Sequence, residues 1–513
     1  MTALQHRSPS GFEKLPAELY DEIFSHVVDI SPAENPPWGS VTTSFTDGSD
    51  DIHVLDYLRE VRRDYAGYLP SSCVKLRLVS KAFNRAVSRV WFQYEYLKLR
   101  AFDKTGWFRN EALPDPEDNL ERRVIKPNSV ENIKKYVIQG NNFSPFLRRL
   151  RLQFSTEDGF GNSGRMHWLA PKDSNSNPVD RESLLALLNV LPSALEKVEQ
   201  LECLWVNLTE SWESIYSGTG KPEDEYAPDL DLFAINELRS SLCRLFSPTY
   251  AHKFRFLTEL RLSLPCTYDF AALNKAMSDE ATERLKHLYL EYVDATGPGG
   301  SSNYLVWAEE GDDGDESFPP SNLQKEYPNH VYMHHICELV GRCINLESLG
   351  LHATHYLNLD ELDWKPAAAG LRNIYIYRAV IHSDTLIKLL GAADGRPSNI
   401  FAVNLNEVHL LDHTWARVLD HLLQADALQY FNIRNLNYAL HGESAELSYY
   451  NNRPMENISP IWTNEEDDEE RLESIVKKVL DAGGLVGDNL EQVAKEAGYD
   501  VKYPNSSKYI SGW

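Results

Sequence analysis

Positive charge is the first thing this chain lacks. Its 513 residues carry 51 Lys and Arg against 76 Asp and Glu, a formal net charge of −25 at neutral pH. Non-specific binding to DNA or RNA needs a basic footprint that neutralises phosphates, so no nucleic-acid partner is expected. Anionic membrane surfaces are disfavoured for the same reason. Paired cysteine is the second shortage. The six cysteines are Cys73, Cys203, Cys243, Cys266, Cys337 and Cys343, and no two form a CxxC pair. That pattern argues against a disulfide frame and fits small buried apolar residues in a reducing compartment. An apolar run of transmembrane length is missing too, and the opening MTALQHRSPSGF has no apolar signal core. The expectation is a cytoplasmic or nuclear protein with no membrane partner.

Signatures of catalysis are also scarce. There is no HExxH, P-loop, nucleophile elbow or kinase set. Residues 159–164, GFGNSG, match GxGxxG. A phosphate cradle needs those glycines directly between a strand and a helix. Here STED precedes them and Pro171 falls where the helix should run, so the stretch reads as a loop. His330, His334, His335 and Cys337 crowd one helical pattern. His330 and His334 could share a face as metal ligands do, but Cys337 points elsewhere if Leu339 and Val340 mark the core. Neither a metal nor a cofactor is expected. A serine–histidine–aspartate set converges only in space and leaves no such signature.

What is present is an ordinary globular complement, 42% hydrophobic and 25% charged, enough for a large core. Much of the negative excess is local, in EEGDDGDE (309–316) and EEDDEE (465–470). Both read as solvated runs, and the second sits where acids complement the positive end of a following helix, RLESIVKKVL.

The N-terminal residues 14–27, KLPAELYDEIFSHV, form a compact helical pattern. Pro16 suits a first turn and Glu18 suits the helix dipole there. Leu15, Leu19, Ile23 and Val27 make an apolar stripe, widened by Phe24. A helix this short needs a partner surface. A second unit, VKLRLVSKAFNRAVSRVWFQY (74–94), repeats the helical spacing through Leu76, Leu78, Val79, Phe83, Ala86, Val87 and Val90, with Ser80 as an N-cap. Two such units can pack together and still leave apolar surface for a partner. Together LPAELYDEIFSHV and LRLVSKAFNRAVSRVWF resemble the F-box. The halves stand further apart than in that family, separated by residues 29–72, which read as an inserted loop and a short helix; insertions of this kind are thermodynamically tolerable.

From residue 146 to about 440 another pattern recurs: an aliphatic, two others, an aliphatic, one other, an aliphatic. It appears as LRRLRL (147–152), LECLWV (201–206), LTELRL (257–262), LKHLYL (285–290), LESLGL (346–351), LRNIYI (371–376), LNEVHL (405–410) and LQYFNI (428–433). Helical patterns such as RESLLALLNVL and WARVLDHLLQA lie between copies. Strand and helix repeated at such intervals resemble a degenerate leucine-rich repeat. The asparagine or cysteine usual after the last aliphatic is missing from every copy. The expected fold is α/β: an N-terminal three-helix F-box followed by an irregular leucine-rich-repeat-like solenoid. A large irregular α/β domain accounts for the same alternation and is the alternative. The expected divisions are 12–95 for the F-box, 96–145 for a connection, 146–440 for the repeat region and 441–513 for an acidic loop and helical cap.

Alternate residues of a strand point to opposite faces. If the aliphatics face a core, the residues between them form a second surface. It includes Arg149, Arg151, Trp205, Arg261, Tyr289, Tyr375, Tyr377 and His409, types that dominate protein-interface hot spots. The arginines could pair with an acidic or phosphorylated client. The F-box resemblance implies the rest of the reading: a substrate-recognition subunit of an SCF-type ubiquitin ligase that does no bond chemistry itself. On that reading Leu15, Pro16, Leu19, Ile23, Leu76, Val79 and Phe83 dock on a Skp-family linker, and through it on a cullin. An F-box scaffold outside ubiquitination, or an enzyme hidden in the repeat region, are the alternatives.

Overall fold

The structure is a computed structural model that describes residues 96–100, 134, 138–139, 147–153, 179–198, 200–207, 232–247, 254–292, 322–367, 370–391, 398–438, 459–463 and 465–499. The F-box-like stretch 12–95 and its docking residues lie outside them.

One sheet organises everything described. Its strands are β1 (Tyr96–Arg100), β2 (Arg149–Gln153), β3 (Cys203–Asn207), β4 (Glu259–Leu264), β5 (His287–Tyr292), β6 (Ser348–Asn358), β7 (Asn373–Ile381), β8 (Ala402–Leu410), β9 (Tyr430–Arg434), β10 (Asn437–Tyr438) and β11 (Leu485–Val486). All pairings are parallel, and β1 to β9 stand side by side in chain order. β11 adds beside β9, while β10 pairs with β8. The segment expected as a connection therefore supplies an edge strand, and the C-terminal segment supplies another.

The longer helices are α1 (Val179–Leu195), α2 (Leu232–Phe246), α3 (Thr267–Ala276), α4 (His334–Arg342), α5 (Ser383–Leu390), α6 (Trp415–Leu423) and α7 (Glu466–Asp481). Parallel neighbours need crossovers, and among the described residues helices fill those from β2 to β6 and from β7 to β9, but not that between β6 and β7. This architecture corrects the expected fold of a three-helix F-box followed by a leucine-rich-repeat-like solenoid. The described residues form a single eleven-stranded, all-parallel α/β sheet. The aliphatic template marks strands with one face under helices, and any helix-covered parallel sheet has such strands.

Two aliphatic ladders run across that covered face. Leu150, Leu204, Leu260, Leu288, Leu349, Ile374, Val403 and Phe431 are in register. So are Leu152, Val206, Leu262, Leu290, Leu351, Ile376, Leu405 and Ile433. Each is at most 2% exposed, and with the inward residues of α1 to α7 they form one continuous core. Burying one such side chain contributes about 1.5–3 kcal/mol, so these ladders are a large share of what stabilises the sheet. Among the described residues no helix is long and apolar enough to cross a membrane.

Buried ions tie the helix layer together. Asp269 opens α3, accepts from the Cys266 backbone N–H at 2.9 Å and pairs with Arg239 of α2 at 2.6 Å. The Arg239 guanidinium also sits 4.6 Å from the rings of Tyr268 and Tyr327. In α7 four acids fill the first turn, where the helix dipole favours them. One of them is not solvated: Asp468 is fully buried and accepts from the Ala416 N–H at 2.6 Å, from Thr463 Oγ at 2.7 Å and from Tyr438 Oη. It thereby joins α7, the start of α6 and β10.

Candidate functional site

The other face of the sheet is polar and aromatic. Its first row is Arg149, Cys203, Glu259, His287, Ser348, Asn373, Ala402 and Tyr430. Its second is Arg151, Trp205, Arg261, Tyr289, Gly350, Tyr375, Asn404 and Asn432. A third runs Ser263, Glu291, His352, Tyr377, Asn406 and Arg434. Of the residues singled out in the sequence, Arg149, Arg151, Trp205, Arg261, Tyr289, Tyr375 and Tyr377 fall in these rows.

His409 does not. It pairs in register with Val380, five residues beyond the β8 position that faces Tyr375, which is Asn404. The cause is a kink. Arg378, Glu407 and Asn435 have φ of 60°, 51° and 51°, the left-handed region that non-glycine residues seldom enter. They line up across β7, β8 and the end of β9, flanked by Tyr377↔Asn406↔Arg434 on one side and Ala379↔Val408 on the other. Each adds one residue to the alternation. Ile376 and Ala379, Leu405 and Val408, and Ile433 and Leu436 therefore all enter the core. The sequence match LNEVHL reads across this kink, from Leu405 to Val408 and Leu410, so its outward position is displaced.

Side chains on the polar face bind one another. Glu259 and Arg261, two apart on β4, form an ion pair of 2.5 Å with both side chains at most 5% exposed. Arg261 lies 5.3 Å from the Trp205 ring. The Ser348 hydroxyl meets His287 Nδ1 at 3.0 Å and accepts from Asn373 Nδ2 at 2.9 Å. His352 Nδ1 lies 3.1 Å from the Glu291 carboxylate and 3.3 Å from Tyr289 Oη. The Tyr377 ring meets that imidazole edge-on at 4.5 Å. Gly350 is required here, because a Cβ on it would stand 2.3 Å from Cδ2 of Tyr289, whose ring stacks towards Tyr375 at 6.1 Å.

At the kink the pair Arg378–Glu407, 2.7 Å apart, spans two strands. Burial raises the Glu407 pKa, but the guanidinium outweighs it and holds the carboxyl below its usual range. His409 is hydrogen-bonded through Nε2 to Tyr356 Oη at 3.1 Å, and burial pushes its pKa down to about 4. Ser263 Oγ, Asn373 Oδ1, Asn404 Nδ2, Asn406 Oδ1 and Asn432 Oδ1 are buried on this face and make no hydrogen bond. Such atoms cost about 1–3 kcal/mol each when left unmet.

Most of these side chains are turned away from solvent. Trp205 is 6% exposed, Arg261 4%, Tyr289 5%, Tyr375 0% and His409 4%, whereas Tyr377, His287 and Glu291 are half-buried. In the third row Glu291, Tyr377, Asn406 and Arg434 are half-buried, while Ser263 and His352 are buried. Strand alternation in the sequence already puts Glu291, His352 and Asn432 on this surface; it misses Asn404, because the eighth strand is counted from beyond the kink.

Burial pushes the Cys337 and Cys343 thiols up to about 12, so both stay protonated. One group of metal-ligating side chains stands out among the described residues, on the helix layer: His334, His335 and Glu338. The sequence reading paired His334 with His330 instead. No family model matches this chain, and no curated protein matches it.

Proposed function

We propose that the chain is a substrate-recognition subunit of an SCF-type cullin-RING ubiquitin ligase. The F-box-like residues 12–95 would dock on a Skp-family linker, with Leu15, Pro16, Leu19, Ile23, Leu76, Val79 and Phe83 at the contact. The polar sheet face would hold a client protein, and the complex would raise the effective concentration of client lysines near a charged conjugating enzyme. The chain itself does no bond chemistry on this reading.

One observation supports the client half: the asymmetry of the sheet. One face is aliphatic and packed under helices, while the other is a strip of Trp, Tyr, His, Arg and Asn with five buried polar atoms lacking partners. Aromatic and arginine-rich strips of this composition suit protein recognition, and arginine suits acidic or phosphorylated segments. The linker half is tested by affinity capture of the full chain on purified Skp-family linker. Wild type should be retained, and Leu19→Asp/Val79→Asp should be lost. Failure of wild type to bind removes the linker half.

A second reading, an enzyme, draws on His352. It sits between a carboxylate and a phenol on the polar face of the sheet. His352→Ala, assayed for loss of client ubiquitination against loss of client binding, separates the two. Intact binding with lost turnover of a small-molecule substrate would favour the enzyme.

A further inference from the structure

We propose that His334, His335 and Glu338 on the outer side of the helix layer form a binding site for a divalent transition-metal ion such as zinc. The ligand atoms of the three side chains all lie within 4.8 Å of one another. Helical spacing makes this possible: positions 334 and 335 stand four and three residues before 338, so their side chains approach it along one side of α4. The two imidazoles lie against each other, with centroids 3.9 Å apart.

A further contact prepares the site. Glu338 Oε2 accepts from His335 Nδ1 at 2.6 Å and from Asn274 Nδ2 at 3.0 Å. Asn274 belongs to α3, so a neighbouring helix fixes the carboxylate from outside, the role that outer-shell partners play around metal ligands. Arg342 in turn holds Asn274, with Nη1 2.7 Å from its Oδ1. Cys337 takes no part, because it is buried and its thiol reaches the Asn358 carbonyl at 3.5 Å.

The donor set chooses the ion. Two imidazoles and one carboxylate suit zinc, copper or nickel, whereas calcium and magnesium take oxygen ligands. Three protein ligands leave positions for water, so the site would be open. The His335 side chain is 28% exposed and that of Glu338 53% exposed, so an ion can enter from solvent and substitutions there spare the core. The site lies on the helix layer and does not depend on the polar sheet face.

The test is a calorimetric titration of the metal-depleted full chain with Zn²⁺ alone, repeated on His335→Ala and Glu338→Gln. Wild type should bind one equivalent with micromolar affinity. Each variant should bind about tenfold or more weakly, with an unchanged far-ultraviolet circular dichroism spectrum. Unaltered affinity in both variants would place any binding elsewhere among the 16 histidines and overturn the proposal. So would the absence of a wild-type site, or equally tight binding of Mg²⁺.

Discussion

The two faces of this sheet use the same strands and the same registers, yet they are held in place by different physics. On the helix-covered face each position is apolar, each neighbour is similar, and a swap of a leucine for another apolar residue of like volume changes little. On the other face the partners are specific. Glu259 needs Arg261, His352 needs Glu291 and Tyr289, and Glu407 needs Arg378. Polar networks in a low-dielectric setting cost most when half removed. The comparison teaches that an aliphatic ladder can set a fold without specifying any one contact, while the polar strip specifies contacts and leaves some polar atoms unmet.

The sharpest break should come from the helix-covered side. Phe431→Ala empties a fully buried site in the first ladder, and unfolding in urea should show a loss of about 3–5 kcal/mol. A loss below ~1 kcal/mol would mean the ladder is not the core it is taken to be.

On the polar face Glu259→Ala should cost roughly 3 kcal/mol by the same measurement, because Arg261 is left buried and charged. Glu259→Met with Arg261→Met should recover most of that loss, since replacing both ions by apolar groups of similar volume is often near neutral. A double variant as unstable as the single one would show that the pair is not the unit.

Protonation sharpens the contrast further. An unfolded histidine titrates near ~6.5, whereas burial depresses His409 to about 4. Between those values the unfolded chain binds the proton and the folded chain does not. Stability from this group is therefore complete above the unfolded value, falls as pH drops through the window, and levels off below the folded value. From about pH 7 to pH 5 the loss should be on the order of 2 kcal/mol. Urea midpoints at the two pH values should converge in His409→Gln relative to wild type.

The smallest effect should come from Gly350→Ala. The added methyl meets the Tyr289 ring, so overpacking of about 1–2 kcal/mol is expected, with a shift in tyrosine near-ultraviolet circular dichroism. An unchanged spectrum would show that the ring does not lie over the glycine.

Strand faces were legible because alternation is a property of sequence. Arg149, Trp205, Arg261, Tyr289, Tyr375 and Tyr377 were placed on one surface by counting from leucines. The kink was not legible. Arg378, Glu407 and Asn435 are not glycines, so nothing marks their left-handed backbone, and the eighth strand was read past the break. Nor was Asp468, which hides a buried capping carboxylate inside a run of acids that looks uniformly solvated. The aliphatic template was read as repeats of a solenoid because it records one-sided burial and nothing about how strands assemble. His335 and Glu338 meet through helical spacing, but the support that Asn274 of α3 gives Glu338 is a tertiary fact the sequence does not show.

The most direct measurement is reconstitution of the full chain with purified Skp-family linker and cullin, followed by light scattering on the eluted species. The account predicts one complex containing one copy of each, which loses this chain alone when Leu19→Asp/Val79→Asp is used. Elution of the wild-type chain by itself, with linker and cullin still bound to each other, would contradict it.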